Sequence, residues 1–91
     1  MVTAIILINT ERTQINDVAE QLAEMEGVSE VYSVSGKYDL IVIVRVGSND
    51  DLADLVTKKM LRIDAIVNSE TMLAFKAFSR HDLEAMFSVG M

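Results

Sequence analysis

Gly36-Lys37-Tyr38-Asp39-Leu40 is the stretch whose residue types could do chemistry. It lies between two strand-like runs, Val31 to Ser35 and Leu40 to Val46. Two readings of it stand side by side. In one, Gly36 supplies a positive φ, Asp39 hydrogen-bonds the turn backbone and Tyr38 packs at an edge. In the other, free backbone N–H groups near Gly36 receive a carboxylate, Asp39 pairs with an ammonium and Tyr38 walls the pocket. A zwitterion needs opposite polar groups within one small site, and this turn contains both. Ser69 and Thr71 form a second candidate pair. Two residues apart on an extended chain, their hydroxyls share a side and could hydrogen-bond a small polar ligand. Strand-edge decoration is the plainer reading of that pair.

Other chemistry finds little support. His81 is the only histidine and Cys is absent, so no thiolate or histidine metal cluster is expected. As a general base His81 has no orienting partner beyond Asp82; a capping or surface role suits it better. No Ser/His/Asp set, phosphate loop or HExxH motif occurs. Glu11, Glu20, Glu24, Glu26 and Glu30 read as a solvated face, and Met25, Met60, Met72 and Met86 as packing. No catalytic residue, metal or cofactor is therefore expected.

The elements that must position the turn follow from hydrophobic spacing. Ala4 to Ile8 is a continuous β-branched run, read as a strand buried on both faces. Asn9 to Thr13 reads as a polar connector, with Thr13 as helix N-cap. Ile15, Val18, Ala19, Leu22 and Met25 recur at helical spacing, and Gly27 stops that helix. Val28 to Ser35 is an alternating second strand and Leu40 to Val44 an apolar third. Ser48 or Asn49 caps a second helix, with Asp50 and Asp51 at its positive dipole end. Leu52, Leu55, Val56 and Met60 are its buried stripe, and Lys58, Lys59 and Arg62 sit near its negative end. Ile63 to Ser69 reads as a connector with some extended character, and Thr71 to Phe78 as the last strand. Ser79 to Asp82 would cap a turn or short helix over Leu83 to Phe87.

The order β-α-β-β-α-β is the split βαβ arrangement of ferredoxin-like folds. The expected class is α+β: a four-stranded antiparallel sheet with both helices on one face. Residues 1–91 read as one domain, with 79–91 as a C-terminal extension. A consequence concerns assembly. The Ala4–Ile8 and Leu40–Val44 strands are apolar on both sides, yet the helices cover only one. Roughly four large aliphatic side chains would then face water, at ~1.5–3 kcal/mol each relative to burial. A chain of 91 residues with 51% apolar content has reason to self-associate. Packing sheet to sheet about a two-fold axis, as a dimeric α+β barrel, answers both points. Phe78, Met86 and Phe87 would extend that contact; a C-terminal tail folded over the sheet is the alternative.

Charge narrows the partners. The formal net charge is −6, with 8 Lys and Arg against 14 Asp and Glu. Nucleic-acid binding draws affinity from Lys and Arg neutralising phosphates, and here they are few and scattered. Direct nucleic-acid binding and anionic membranes are disfavoured alike. No basic n-region precedes the short N-terminal apolar run, and no run approaches a transmembrane length. With no cysteine to pair, a cytoplasmic location is expected.

With those residues on the page, the chain resembles the effector-binding domain of the Lrp/AsnC, or feast/famine, regulators. The resemblance covers Val2 to about Phe78. It rests on the Gly36-x-Tyr38-Asp39-Leu40 turn after a Val-rich strand, on Gly27-Val28 after the first helix, and on Ser69-x-Thr71. It implies a sheet-to-sheet dimer assembled into rings, octamer or decamer, with an amino acid or related small molecule bound between dimers. Carried over, Gly36, Tyr38, Asp39 and Leu40 would form one wall and Ser69 and Thr71 the other, with Ser33 or Val34 contributing. The chain departs from the family in two ways. It begins at the first effector-domain strand, with no helix-turn-helix ahead of it, so it would act without DNA-binding of its own, and full-length regulators of the family become possible partners. The Pro-Gly often found before the last strand is Asp64-Ala65 here, which bears on the loop near Ser69. The expectation is a non-enzymatic sensing module. A small dimeric α+β-barrel enzyme, monooxygenase- or isomerase-like, and a ligand-free oligomerisation adaptor are the alternatives.

Overall fold

A computed structural model describes residues 1–78. His81, the cap at Ser79 to Asp82 and the turn or helix at Leu83 to Phe87 lie outside the described residues. The strands are β1 (Val2–Thr10), β2 (Val28–Ser33), β3 (Leu40–Val46) and β4 (Ile66–Leu73), and the helices α1 (Ile15–Ala23) and α2 (Asn49–Asp54). They form one antiparallel sheet in the order β2-β3-β1-β4. This is the ferredoxin-like α+β arrangement expected from the element order.

Alternation divides β1 and β3 between the two faces. Ala4, Ile6, Ile8, Leu40, Val42 and Val44 are fully buried and meet Val18 and Leu22 of α1, with Leu55 and Met60 after α2, in one core. Both helical segments therefore cover the same face. Ile5, Leu7, Ile41 and Ile43 point the other way and are only half-buried. Register puts them beside Met72 and Tyr32, which are 43% and 48% exposed. The expected apolar open face is thus present, and its four aliphatic residues lie in the two central strands.

Several boundaries differ from the sequence reading, each for a reason. Asn9 and Thr10 belong to β1 rather than to a connector, because Thr10 pairs with Ile66 and gives its N–H to the Asp39 carboxylate. β4 starts at Ile66 and ends at Leu73, five residues earlier than the reading Thr71 to Phe78 at each end. A strand lasts only as long as its partner: β4 starts opposite Thr10, and Ala74 N–H donates to Thr3 O just before β1 runs out at Val2. Thr13 caps nothing; it sits within a 3-10 turn, Arg12–Gln14, that opens into α1 without a side-chain cap. Ser48 does cap α2, accepting Asp51 N–H at 3.1 Å. Beyond α2 the helix widens into a π segment, Leu55–Lys59, and tightens into a 3-10 turn, Met60–Arg62. Met60 N–H reaches back five residues to Leu55 O, which aligns the two side chains buried in the core. Thr57 Oγ1 donates to Ala53 O at 2.6 Å at that same widening.

Gly27 has φ +97° where α1 hands over to β2, and an added Cβ there would lie 2.8 Å from Val46 Cγ1. Its lack of a side chain lets the α1–β2 corner lie against the end of β3. The Asp64-Ala65 substitution for Pro-Gly causes no strain, since among the described residues no residue other than glycine has positive φ. Ile66 N–H donates to Ile63 O at 3.1 Å, and Ala65 O accepts Glu11 N–H at 2.8 Å.

Candidate functional site

The β2–β3 hairpin closes at Val34, whose N–H donates to Asp39 O at 3.0 Å. Ser35 to Tyr38 form the loop. Gly36 has φ +112°, a conformation that side chains rarely adopt, and nothing lies within 4 Å of where its Cβ would stand. Among the described residues, no N–H of Ser35, Gly36, Lys37 or Tyr38 donates to a protein acceptor.

Asp39 has a structural role. Its N–H donates to Ile8 O at 2.9 Å, and its carboxylate accepts Thr10 N–H at 2.9 Å. β3 begins only opposite Ile8, so no strand carbonyl faces Thr10, and the Asp39 side chain supplies the missing acceptor. Thr10 is 7% exposed, so that acceptor satisfies a nearly buried group. The register of β1 against β4 shifts between Asn9 and Thr10, next to this bond. Asn9 Nδ2 donates to Lys37 O at 2.9 Å, and Asn68 Nδ2 donates to Asn9 Oδ1 at 3.5 Å. The turn is therefore hung from the end of β1.

Tyr38 carries the turn across to β4. Its hydroxyl donates to Glu70 Oε2 at 2.7 Å. That bond, then partial desolvation and the nearby negative charge, raise the Tyr38 pKa above its ordinary value of 10.0.

The sequence-derived site residues divide accordingly. Gly36, Tyr38 and Asp39 stand together. Leu40 is fully buried in the core, so only its backbone borders the turn. Ser69 and Thr71 pair with Ile8 and Ile6, which places them on the helix side of the edge strand, where both are exposed. Glu70 between them pairs with Leu7 on the open face, and it is Glu70 that meets Tyr38. Ser33 ends β2, and Val34 contributes its N–H to the hairpin closure. Asn9, Thr10, Asn68 and Glu70 were not singled out from sequence. Glu70 carried a signal, being the only charge between Ile66 and Phe75, but that signal depends on starting β4 at Ile66.

A groove of about 510 Å³ opens at the opposite end of the β2–β3 pair, by Gly27, Val46, Gly47 and Leu55. Its charges are partly engaged with each other, Lys58 Nζ lying 3.2 Å from Asp54. The turn, with its unengaged amides, is the better candidate for receiving a small polar molecule. Among the described residues no group of three His, Cys, Asp or Glu could hold a metal ion, and no helix is long and apolar enough to cross a membrane.

Comparison with known proteins places this geometry. Residues 3–83 match the family model described as the Lrp/AsnC ligand binding domain. The chain belongs to the Lrp/AsnC family. YugG of Bacillus subtilis, an uncharacterized HTH-type transcriptional regulator, is 36% identical over 67 residues, which are 74% of this chain and 40% of YugG. Curated relatives described as HTH-type transcriptional regulators are matched over 39% to 49% of their length, so the chain spans less than half of each. Among solved structures, TTHA0845 of Thermus thermophilus superposes with TM-score 0.82 at 40% identity, covering 88% of this chain and 100% of that one. E. coli AsnC superposes with TM-score 0.80 at 25% identity, covering 87% of this chain and 54% of AsnC. The part shared with the Lrp/AsnC regulators is the domain described as ligand-binding.

Proposed function

We propose that this chain is a non-enzymatic effector-binding module of the Lrp/AsnC type. It takes an amino acid or a related small molecule at the Gly36–Leu40 turn and couples occupancy to assembly, working in the cytoplasm. The observation that carries this reading is the row of unengaged N–H groups from Ser35 to Tyr38, beside the open space at Gly36. Such amides are suited to a carboxylate. The membership in a family whose model is described as ligand-binding supports the same assignment.

Assembly enters through the open sheet face. Ile5, Leu7, Ile41, Ile43 and Met72 form a continuous apolar surface with Tyr32 at its edge. A second copy packed on it about a two-fold axis would bury that surface twice over. Rings of such dimers, or mixed assemblies with full-length regulators, would then bring the turns near neighbouring subunits. A ligand with different affinity for the separate and assembled forms shifts their populations. Isothermal calorimetry with a panel of amino acids, run beside light scattering, tests the proposal. The expected result is saturable heat for some members with a change in assembly size. No heat and no size change across the panel overturns it.

A further inference from the structure

The acid that the sequence offers to a ligand's ammonium is Asp39, whose carboxylate also accepts the Thr10 N–H at 2.9 Å and so holds the end of β1. A second acid beside the turn, more exposed than Asp39, is Glu70. It is exposed, it forms no salt bridge among the described residues, and its partner there is the Tyr38 hydroxyl at 2.7 Å. A carboxylate has two oxygens and about four acceptor sites, so Tyr38 leaves most of that capacity unused.

Distance then restricts the ligand. The free amides sit on the turn backbone, and Glu70 sits at the far end of the Tyr38 side chain. The Tyr38 amide and the Glu70 carboxylate thus stand at the backbone end and the hydroxyl end of one tyrosine residue. The α-carboxylate and α-ammonium of an amino acid hang from one carbon and cannot span that gap. A ligand that engages both ends needs a positive group at the end of its own side chain.

We infer that the ligand is an α-amino acid with a cationic side chain, its carboxylate on the Ser35–Tyr38 amides and its side-chain ammonium or guanidinium on Glu70. This rests on the effector-binding reading above and specifies its ligand class. The ion pair joins a charged donor to a charged acceptor, a stronger contact than the neutral hydroxyl of Tyr38 provides alone. Lys37 adds positive charge at the carboxylate end, and the net charge of −6 favours the approach of a cationic ligand overall.

The test is calorimetry on the full chain with matched pairs: lysine against 2-aminoheptanoic acid, and arginine against citrulline. Each pair keeps side-chain length and removes the charge. The cationic member should bind tighter by about tenfold or more, the size of one hydrogen bond between charged groups. Glu70→Gln should erase that ratio, while Tyr38→Phe, which removes only the competing hydroxyl, should preserve it. Equal binding of charged and neutral members by the wild-type chain overturns the inference and leaves amino-acid binding standing. So does a ratio that survives in Glu70→Gln. Binding by neither member of either pair, nor by any other amino acid, removes the effector reading as well. The wild-type comparison does not depend on how any variant folds.

Discussion

Gly27 and Gly36 both have positive φ, at +97° and +112°, but their surroundings differ. An alanine Cβ at Gly27 would lie 2.8 Å from Val46 Cγ1 and 3.5 Å from Leu55 Cδ2, whereas at Gly36 it would meet nothing within 4 Å. Backbone strain of about 1–3 kcal/mol applies to both alanine variants. Only Gly27→Ala adds a steric conflict with packed side chains, costing a further ~1–3 kcal/mol. Gly27→Ala should therefore be the more damaging by ~1–3 kcal/mol, a large share of the roughly 5–14 kcal/mol that a chain of this length has.

At ~4–8 °C per kcal/mol for a domain of this size, that excess amounts to a Tm about 4–24 °C lower for Gly27→Ala than for Gly36→Ala. Scanning calorimetry or urea unfolding at one fixed protomer concentration reads it, since the proposed self-association would make stability depend on concentration. A second substitution isolates the cause. Val46→Ala removes the conflicting methyl, so Gly27→Ala in that background should recover the steric part, a coupling of ~1–3 kcal/mol in a double-mutant cycle. Equal destabilisation by the two glycine variants, or no coupling to Val46, would refute the claim that close packing makes the α1–β2 corner need glycine. At Gly36 the alanine methyl enters the open space by the free amides, so ligand affinity should fall more than stability.

Three further outcomes are expected. The chain has two Tyr and no Trp, so absorbance at 295 nm reports tyrosinate cleanly; both tyrosines should titrate above pH 10, Tyr32 through its bond to Glu30 and Tyr38 through its bond to Glu70, and Glu70→Gln should lower the Tyr38 midpoint alone. With folded-state values raised, whatever stability the neutral hydroxyls give is complete below pH ~10 and is lost as the pH rises through the folded pKa, so Tyr38→Phe should make the alkaline decline of stability shallower in urea unfolding repeated across that range. Asp39→Ala removes the acceptor of a nearly buried N–H and should cost about 1–3 kcal/mol, with the Thr10 amide exchanging faster; Asp39→Asn keeps an acceptor oxygen and should cost less. Leu7→Glu puts a charge in the centre of the open face and should yield monomers in sedimentation equilibrium while the helix-side core stays intact.

What could be read along the chain and what could not divide by the range of the cause. The two-faced apolar runs at Ile5 to Ile8 and Ile41 to Val44 identify central strands because burial of both faces is written in consecutive residues. Gly27 and Gly36 announce positive φ because no other residue takes it readily. Ser48 followed by Asp50 and Asp51 marks a helix start locally. By contrast, β1 continues through Thr10 because of a carboxylate 29 positions away. β4 is bounded by the ends of β1 rather than by any break in its own sequence. The hydroxyl of Tyr38 finds Glu70 across 32 positions, and only the register reveals that Ser69 and Thr71 face the other side. The π turn has a partial signature, since Leu55 and Met60 are five apart, a spacing that a regular helix would not bury as one pair.

Leu7 pairs with Ile41 on one side and with Glu70 on the other, so the centre of the apolar face and the acid on Tyr38 are cross-strand neighbours. Asn9 follows two residues later on the same face and holds the turn through Lys37 O. In the proposed dimer a second copy seated on Leu7 would come close to Glu70, and a ligand held by Glu70 would come close to that copy. Occupancy and assembly would then act on adjacent residues of one strand pair, which would give their coupling a short physical route. Reciprocity fixes the size of one effect from the other: if assembly tightens ligand binding by some factor, ligand tightens assembly by the same factor. An Ile5→Glu monomer, whose new charge lies opposite Ile43 and Met72 rather than Glu70, measures that factor as the ratio of its ligand affinity to that of the wild-type chain. A ratio of one would mean that the turn binds its ligand as a single subunit and reports nothing to its neighbours.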